Sequence, residues 1–182
     1  MTCNSCKTIL IPNNVVNTDT YPICRRCYNT QSGEMKDFEA PDKIDENLWL
    51  GSCYSDIDLK YLQEKNIAGV VLVCPDGIER FPKQIVYHKI EILDTLDADL
   101  LSHLDSALCF IRSLIESNKG VLIRCSAGVS RSVAVVIGYL IKFHSLKYDK
   151  AFKLVQSKRP IIDPNSNFIK QLKQYESTVN SI

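Results

Sequence analysis

One segment of the chain allows few folds: an apolar run at residues 121–123 leads into Cys125, and five uncharged residues separate that cysteine from Arg131. The run has the composition of a buried β-strand, and the apolar stretch at residues 130–144 is long enough for a helix. The residues between are Ser126, Ala127, Gly128, Val129 and Ser130. Because their side chains are not bulky, backbone N–H groups can converge on one point, so the segment predicts a strand, an anion-binding loop and a helix.

This predicted unit has the chemistry of a phosphate-binding nucleophile loop. The helix N-terminus directs unpaired N–H groups and partial positive charge at the loop. Arg131, in the first turn, can hold two phosphate oxygens with its planar guanidinium. Cys125 ends the strand in the same positive field, where the pKa of a thiol falls and a nucleophilic thiolate becomes available. The alternative is a buried cysteine at the end of a core strand.

The loop resembles that of the dual-specificity branch of the cysteine-dependent protein tyrosine phosphatases, and the resemblance extends over about residues 44–176. The other matching motifs are LWLGS at residues 48–52, GYLI at residues 138–141, Arg159-Pro160, Pro164-Asn165, Phe168, Gln171 and Leu172. The resemblance implies an enzyme that hydrolyses phosphotyrosine and phosphoserine or phosphothreonine in proteins through a phosphocysteine intermediate. It also implies that catalysis needs no cofactor.

An enzyme acting on phosphoserine and phosphothreonine needs a general acid, because an alkoxide is a poor leaving group. Asp94 opens an acidic loop at residues 94–99 and precedes Cys125 by 31 residues, which is where the family has its acid. Asp97 and Asp99 are the rival candidates. Helix capping is the alternative function for these two, since Asp99 lies just before an amphipathic helix.

Three further positions are candidates through the resemblance. Ser132 matches the family's hydroxyl that assists breakdown of the phosphocysteine intermediate; otherwise it is a serine in the first turn of a helix. Asn165 either binds back to the nucleophile loop or makes a turn. Cys74 ends an apolar strand predicted to lie near that of Cys125. It is either a redox partner that closes a disulfide with the oxidised nucleophile or a buried structural cysteine.

The chain departs from the family at Arg124, because the family has a histidine immediately before the nucleophile. A guanidinium can still donate hydrogen bonds, and it adds positive charge. We therefore expect an active enzyme with an altered pH profile. The alternative is a catalytically impaired adaptor that binds phosphate without hydrolysis.

The N-terminus carries a second cysteine pattern, in which two Cys-x2-Cys pairs are separated by seventeen residues. The four cysteines are Cys3, Cys6, Cys24 and Cys27. This spacing predicts a zinc ribbon with one structural zinc, which is closed to water and therefore not catalytic. Zinc binding would supply the folding free energy that a segment of about 30 residues lacks. Two disulfides are the alternative. Protein docking or plain stabilisation is the favoured role of the ribbon, and nucleic-acid binding is disfavoured.

These patterns divide the chain into a zinc-ribbon-like module at residues 1–30, a polar linker at 31–43 and a catalytic domain at 44–182. Apolar strands alternate with helices in the catalytic domain. This order predicts an α/β fold, with a central mostly parallel sheet flanked by helices and the nucleophile loop at the carboxyl end of a central strand. One of the helices has apolar residues at helical spacing from Leu104 to Ile115, and Gly120 is expected to end it.

The formal net charge of +1 gives no general attraction to nucleic acid. No apolar run approaches the length of a membrane span, and the start of the chain has no apolar signal segment. We therefore expect a cytoplasmic protein without a membrane partner; the sequence does not separate the cytoplasm from the nucleus. The loop lacks the lysines expected of a phosphoinositide phosphatase, so a phosphoprotein is the favoured substrate.

Overall fold

The computed structural model describes residues 38–179 and two short strands nearer the N-terminus. These strands, β1 (Val15–Asn17) and β2 (Pro22–Cys24), pair in antiparallel orientation. The chain separates into two compact units, residues 1–37 and residues 38–182. No helix in the part of the chain that is described is both long and apolar enough to cross a membrane.

The predicted zinc ribbon falls almost wholly outside the described residues. Cys24 is the last residue of β2, whereas Cys3, Cys6 and Cys27 lie outside the described part of the chain. Within that described part, no group of three or more His, Cys, Asp or Glu residues is arranged to hold a metal ion. The zinc ribbon therefore stays a prediction.

The second unit begins with a β-hairpin and then alternates strands with helices. Its strands are β3 (Asp42–Asp45), β4 (Leu48–Gly51), β5 (Ile67–Val73), β6 (Val86–Ile90) and β7 (Gly120–Arg124). Its helices are α1 (Leu59–Glu64), α2 (Leu101–Glu116), α3 (Arg131–His144), α4 (Tyr148–Lys158) and α5 (Ser166–Val179).

The strands form one sheet in the order β3-β4-β7-β5-β6. Strands β4, β7, β5 and β6 are parallel, and β3 is antiparallel to β4. The prediction of an α/β fold with a mostly parallel sheet flanked by helices is therefore confirmed. All five residues of the central strand β7 are buried, which explains the apolar run at residues 121–123. The fifth residue, Arg124, is buried although it carries a charge.

The two faces of the sheet are covered unequally. The larger hydrophobic cluster joins one face to helices α2, α3, α4 and α5. Helix α3 lies deepest in this layer, since its residues from Ser132 to Ile141 are all buried. The smaller cluster covers the other face with Leu62 of α1 and Ile85 of the segment between β5 and β6. The nucleophile loop emerges from β7 at the edge where the parallel strands end.

The expected end of α2 was wrong by one turn. The helix stops at Glu116, and Asn118 then takes a left-handed conformation with φ of 54°. Asparagine is one of the few residues other than glycine that enter this region readily. Gly120 instead begins β7, where its N–H donates to the carbonyl of Asn66 and an added Cβ would lie 3.0 Å from that oxygen.

Candidate active site

The loop between β7 and α3 is held by hydrogen bonds to its carbonyl groups. Ser126 O accepts from the Cys53 N–H at 3.2 Å, and Val129 O accepts from the Asp163 N–H at 2.9 Å. The Arg159 side chain donates to Ala127 O at 3.2 Å and to Gly128 O at 2.8 Å.

These four bonds orient the N–H groups of the loop. In a trans peptide unit the C=O and the next N–H point in opposite directions. The N–H groups that follow the four bonded carbonyls are therefore directed away from the outer partners. They belong to Ala127, Gly128, Val129 and Ser130. This is the arrangement that binds an anion through backbone donors.

Gly128 is required by both its conformation and its surroundings. Its φ of +69° lies in the left-handed region, which strains residues with a side chain. An added Cβ would lie 2.6 Å from the Gly51 carbonyl oxygen and 2.8 Å from Arg159 Nη2. Arg159 is itself buried and also pairs with Glu39 at 2.9 Å and Asp42 at 2.8 Å, so the loop rests on a fixed guanidinium.

Cys125 lies at the base of the loop and is only 2% exposed. Its Sγ accepts hydrogen bonds from the Gly128 N–H and the Ser132 hydroxyl, both at 3.2 Å. Burial opposes ionisation of the thiol. The hydrogen bonds from the Ser132 hydroxyl and N–H, the charge of Arg131 and the Gly128 N–H outweigh it, so the pKa of Cys125 is lowered. The site therefore favours a thiolate.

Arg131 opens α3 with its guanidinium at the mouth of the loop. Nη2 donates to Ser126 Oγ at 3.0 Å, and Nη1 donates to the carbonyl of Ile92 at 3.4 Å. Its buried Nε has no hydrogen-bond partner among the described residues and lies 3.9 Å from Asp94 Oδ2. A buried N–H of this kind, beside backbone donors, is suited to an anionic ligand.

Asp94 is joined to the loop from the segment after β6. Its Oδ1 accepts from the Ser130 hydroxyl and from Asn165 Nδ2, both at 2.7 Å. Asn165 also donates its backbone N–H to Ser130 Oγ at 3.0 Å, and its Oδ1 accepts from the Phe168 N–H in the first turn of α5. Asn165 thus binds back to the nucleophile loop, as one of the two predictions had it, and it also caps a helix.

The rival carboxylates lie elsewhere. Asp97 does not line the cavity around Cys125, and its pKa is lowered by hydrogen bonds from Thr95 and its own backbone. Asp99 Oδ1 accepts from the Ser102 N–H at 3.2 Å in the first turn of α2, which is the capping contact expected for it. The geometry therefore favours Asp94 among the three, although its role as the acid stays a prediction.

The loop opens into a cavity of about 670 Å³. Its floor includes Cys125 and its walls come from the loop, from Asp94 and from the start of α5. Arg131 is the one basic residue among the described residues that line it, and Asp163 adds a second carboxylate. A cavity with one guanidinium and a ring of N–H donors suits a single phosphoryl group.

Arg124 points away from the catalytic cavity. Side chains alternate along a strand, so Arg124 and Cys125 project to opposite faces of the sheet. The guanidinium is 1% exposed and forms an ion pair with the buried Asp56 at 2.9 Å. The nucleophile loop is fully formed with arginine at this position.

Cys74 lies next to that arginine. Its Sγ is 4.0 Å from Arg124 Nη1, and it is buried after the end of β5. Burial is the largest influence and raises the pKa of the thiol to about 11, although the charge of Arg124 opposes this. β5 pairs with β7, with Leu72 opposite Arg124, so the two cysteines follow neighbouring strands. The redox role of Cys74 stays a prediction.

Sequence reasoning missed the functions of three residues. Arg159 was recognised only as part of a family motif, although it holds two carbonyls of the loop. The sequence patterns assign no function to Asp163 or Asp56. No local pattern distinguishes them, because each contacts residues more than 30 positions away in the chain.

The fold and the site define a cysteine-dependent phosphatase: a cysteine whose thiol pKa is lowered lies under a ring of N–H donors, with an arginine and a carboxylate at its rim. The family model "Dual specificity phosphatase, catalytic domain" matches residues 48–178. Dual specificity protein phosphatase 1B of Arabidopsis thaliana is 36% identical over 137 residues, which cover 75% of this chain and 82% of that protein. Dual specificity protein phosphatase 2 of Mus musculus is 35% identical over 139 residues, which cover 76% of this chain and 44% of that protein.

Solved structures share the fold. The crystal structure of the human tyrosine phosphatase-like serine/threonine/tyrosine-interacting protein superposes with a TM-score of 0.73 at 28% identity, covering 76% of this chain and 96% of that one. Human DUSP28 gives a TM-score of 0.75 at 26% identity, covering 78% of this chain and 96% of that one. The chain belongs to the dual specificity phosphatase family. The predicted enzyme class is thus confirmed, and the non-hydrolysing adaptor is not favoured.

Proposed function

We propose that this phosphatase hydrolyses phosphotyrosine, phosphoserine and phosphothreonine in proteins through a phosphocysteine intermediate. The observation that carries the proposal is the placement of Cys125 Sγ under the N–H donors of its own loop, which also lies against the guanidinium of Arg131. Nε of that guanidinium has no hydrogen-bond partner among the described residues. The lowered pKa of the thiol favours the thiolate, which is the nucleophilic form, more than in an ordinary cysteine.

In the first step, the Cys125 thiolate attacks phosphorus and the bond from phosphorus to the substrate oxygen breaks. The loop N–H groups and Arg131 bind the phosphoryl oxygens as their charge redistributes. Asp94 protonates the departing oxygen. Because Oδ1 of Asp94 already accepts two hydrogen bonds, Oδ2 is the oxygen we assign to that proton.

In the second step, water attacks the phosphocysteine and the sulfur leaves as a thiolate. Asp94, now ionised, accepts a proton from the water and is ready for the next cycle. The Ser132 hydroxyl, 3.2 Å from Cys125 Sγ, stabilises the negative charge that returns to sulfur. Phosphate then leaves the loop.

Two assays test this function together. Purified protein should release phosphate from a phosphotyrosine peptide and from a phosphothreonine peptide of the same sequence. Rapid acid quenching with a ³²P-labelled substrate should trap an acid-stable phosphoryl group on the peptide that contains Cys125. The trapping is repeated in a variant slowed at the second step, in which the intermediate should accumulate. If that variant turns over but no phosphoryl group is trapped on it, water attacks the substrate directly and the covalent route is wrong.

The composition of the cavity supports a phosphoprotein substrate. Arg131 is its single basic lining residue among those described, whereas a ligand with several phosphate groups needs further cations. The carboxylates of Asp94 and Asp163 would repel such a ligand. Comparison of a phosphopeptide with a soluble inositol phosphate of matched concentration tests this preference, and we expect faster turnover of the phosphopeptide.

We also propose one structural zinc, bound by Cys3, Cys6, Cys24 and Cys27. Residues 1–30 would then form a module separate from the catalytic domain at 44–182, and the linker at 31–43 would join the two. The antiparallel pairing of β1 with β2, which ends at Cys24, is compatible with a small ribbon. Metal analysis of protein purified without chelator should find one zinc per chain. A protein that begins at residue 38 should bind no zinc and retain activity on an aryl phosphate; zinc in that shorter protein would contradict the assignment.

Two finer proposals concern location and partners. We propose a cytoplasmic enzyme, with the nucleus as a second compartment, and protein docking as a function of the N-terminal module. Fractionation of cells that express the tagged chain tests the first. Comparison of the proteins crosslinked to the full chain and to the chain that begins at residue 38 tests the second.

A further inference from the structure

A buried cluster of charge lies behind the nucleophile, on the face of the sheet opposite the catalytic cavity. Asp56 and Arg124 are 0% and 1% exposed, and the carboxylate Oδ2 lies 2.9 Å from the guanidinium Nε. Asp56 Oδ1 lies 3.2 Å from Arg80 Nε, and Arg124 Nη2 donates to the carbonyl of Ile78 at 2.9 Å. The pair is therefore well hydrogen-bonded, as two charges taken out of water must be.

The cluster joins three separate segments of the chain. Asp56 belongs to the loop before α1, Ile78 and Arg80 belong to the segment after β5, and Arg124 ends β7. The next residue after Arg124 is the nucleophile itself. The carboxyl end of β7 is thus tied to the loop before α1 by a buried ion pair and to the segment after β5 by a hydrogen bond, at the point where the catalytic loop begins.

A second connection returns from the cluster to the loop. Arg80 Nη2 contacts the carbonyl oxygen of Cys53 at 3.4 Å, and the Cys53 N–H donates to Ser126 O at 3.2 Å. The first two residues of the loop are therefore held from the same cluster, Cys125 through the covalent chain and Ser126 through a hydrogen bond. A displacement of the cluster would move the sulfur relative to the phosphate.

We propose that Asp56 and Arg124 are positioning residues for the nucleophile: their ion pair fixes the end of β7, and with it Cys125, from behind the sheet. The inference rests on the proposed function of Cys125. Charge is part of this arrangement, because Asp56 is the carboxylate that pairs with the buried Arg124 guanidinium, which would otherwise lie without an ion-pair partner behind Cys125. The other ionisable groups around Cys125 are Arg131 from α3, Asp94 from the segment after β6 and Cys74 at the end of β5.

The experiment compares Asp56→Asn, Arg124→Met and the double variant with both changes, together with Asp105→Asn as the control. Asp105 is 70% exposed and pairs with Lys142 at 2.7 Å, so its change removes a carboxylate from an ion pair outside the catalytic cavity. The pKa of Cys125 is measured by the pH dependence of iodoacetamide alkylation, which requires no turnover. Melting temperature and kcat for an aryl phosphate are measured alongside.

The two single variants should shift the thiol pKa in opposite directions, each by about half a pH unit or more. Asp56→Asn leaves excess positive charge and lowers it, whereas Arg124→Met removes positive charge and raises it. The double variant should return the thiol pKa close to its original value. Equal shifts in the same direction, or shifts no larger than in Asp105→Asn, would overturn the proposal.

The double variant also keeps the proposal testable if the single variants fail to fold. It leaves no isolated buried charge, since Arg80 remains 24% exposed, so it should recover melting temperature. Its kcat should nonetheless stay about 10-fold below that of the parent chain, because the anchor is lost. A fully folded double variant with the parent kcat would show that the pair serves stability alone. If the parent chain itself does not turn over, the proposed function fails, whereas the alkylation shifts still test the positioning.

Discussion

The nucleophile loop and the loop that carries Asp94 are held in different ways. Residues 125–130 are bound through four consecutive carbonyl groups, and buried Arg159 supports two of them. The segment after β6 is more open: Leu93 is 61% and Leu96 is 70% exposed. Asp94 is attached to the site chiefly through Ser130 and Asn165. The anion site is therefore preorganised, whereas the carboxylate at its rim belongs to a segment with little burial.

This difference has a consequence for catalysis. Stabilisation of the phosphoryl group requires donors that are already in place, because their reorganisation would raise the barrier. In the proposed mechanism, the proton donor Asp94 must fit leaving groups of different sizes, from a phenol to a threonine side chain. A firmly held loop for the common phosphoryl group and an exposed segment for the variable leaving group match these two requirements.

The largest effect should come from the firmly held loop. Cys125→Ser should reduce kcat by roughly 10⁵-fold or more, because a hydroxyl does not supply the thiolate. Phosphate binding should survive, since the N–H donors and Arg131 remain. Arg131→Ala should lose both turnover and binding. Calorimetry with phosphate or sulfate, and hydrolysis in preparations free of contaminating phosphatases, distinguish the two variants. Normal hydrolysis by Cys125→Ser would disprove the covalent mechanism.

Asp94→Ala should have the next largest effect, and it should depend on the leaving group. For phosphothreonine, kcat should fall by about 100-fold or more, whereas an activated aryl ester, which needs little protonation, should lose less than about 10-fold. The decline of kcat at alkaline pH should flatten. Asp97→Ala is the matched control and should leave both substrates nearly unchanged. Equal losses on the two substrates would assign Asp94 a structural role.

Ser132→Ala should produce a smaller effect, in the first turn of α3, which follows the firmly held loop. The Ser132 hydroxyl is the largest of the contacts that lower the pKa of Cys125, so its removal should raise that pKa. Because the thiolate is the active form, the acidic limb of kcat/KM should move to higher pH, by about one unit if a hydrogen bond to a charged group is lost. Slower breakdown of the phosphocysteine should appear as a burst of product. An unchanged acidic limb would mean that Ser132 does not set the ionisation.

The smallest effect is expected for a disulfide between Cys74 and Cys125. The yield of this disulfide after oxidation tests how rigidly the nucleophile loop is held. Peroxide converts the Cys125 thiolate to a sulfenic acid, and attack by the Cys74 sulfur would form a disulfide and release water. Since the pKa of Cys74 is raised to about 11, this attack should be slow near neutral pH. Peptide mapping should find a minor Cys74–Cys125 crosslink, and Cys74→Ser should abolish the thiol-recoverable activity. Equal recovery in both proteins would leave Cys74 as a structural cysteine.

The chemistry of the loop could be predicted from local sequence signals. Eleven consecutive positions contain an apolar strand, a cysteine, uncharged loop residues and an arginine. Because these signals are local, they are enough to predict β7, the anion site and α3. The burial of β7 and its carboxyl end as the location of the site followed from the same pattern. The end of α2 did not, since Asn118 rather than a glycine took the left-handed conformation.

The distant groups that complete the site are identified only by the contacts of the folded chain. The partners of the loop carbonyls come from Cys53, Arg159 and Asp163, and the neighbour that compensates Arg124 is Asp56, 68 positions away. No periodicity or local motif encodes such contacts, because they depend on how the sheet brings separate segments together. Arg124 was predicted only to add positive charge and hydrogen-bond donors. The buried carboxylate that pairs with it, on the face of the sheet opposite Cys125, is apparent only in the folded chain.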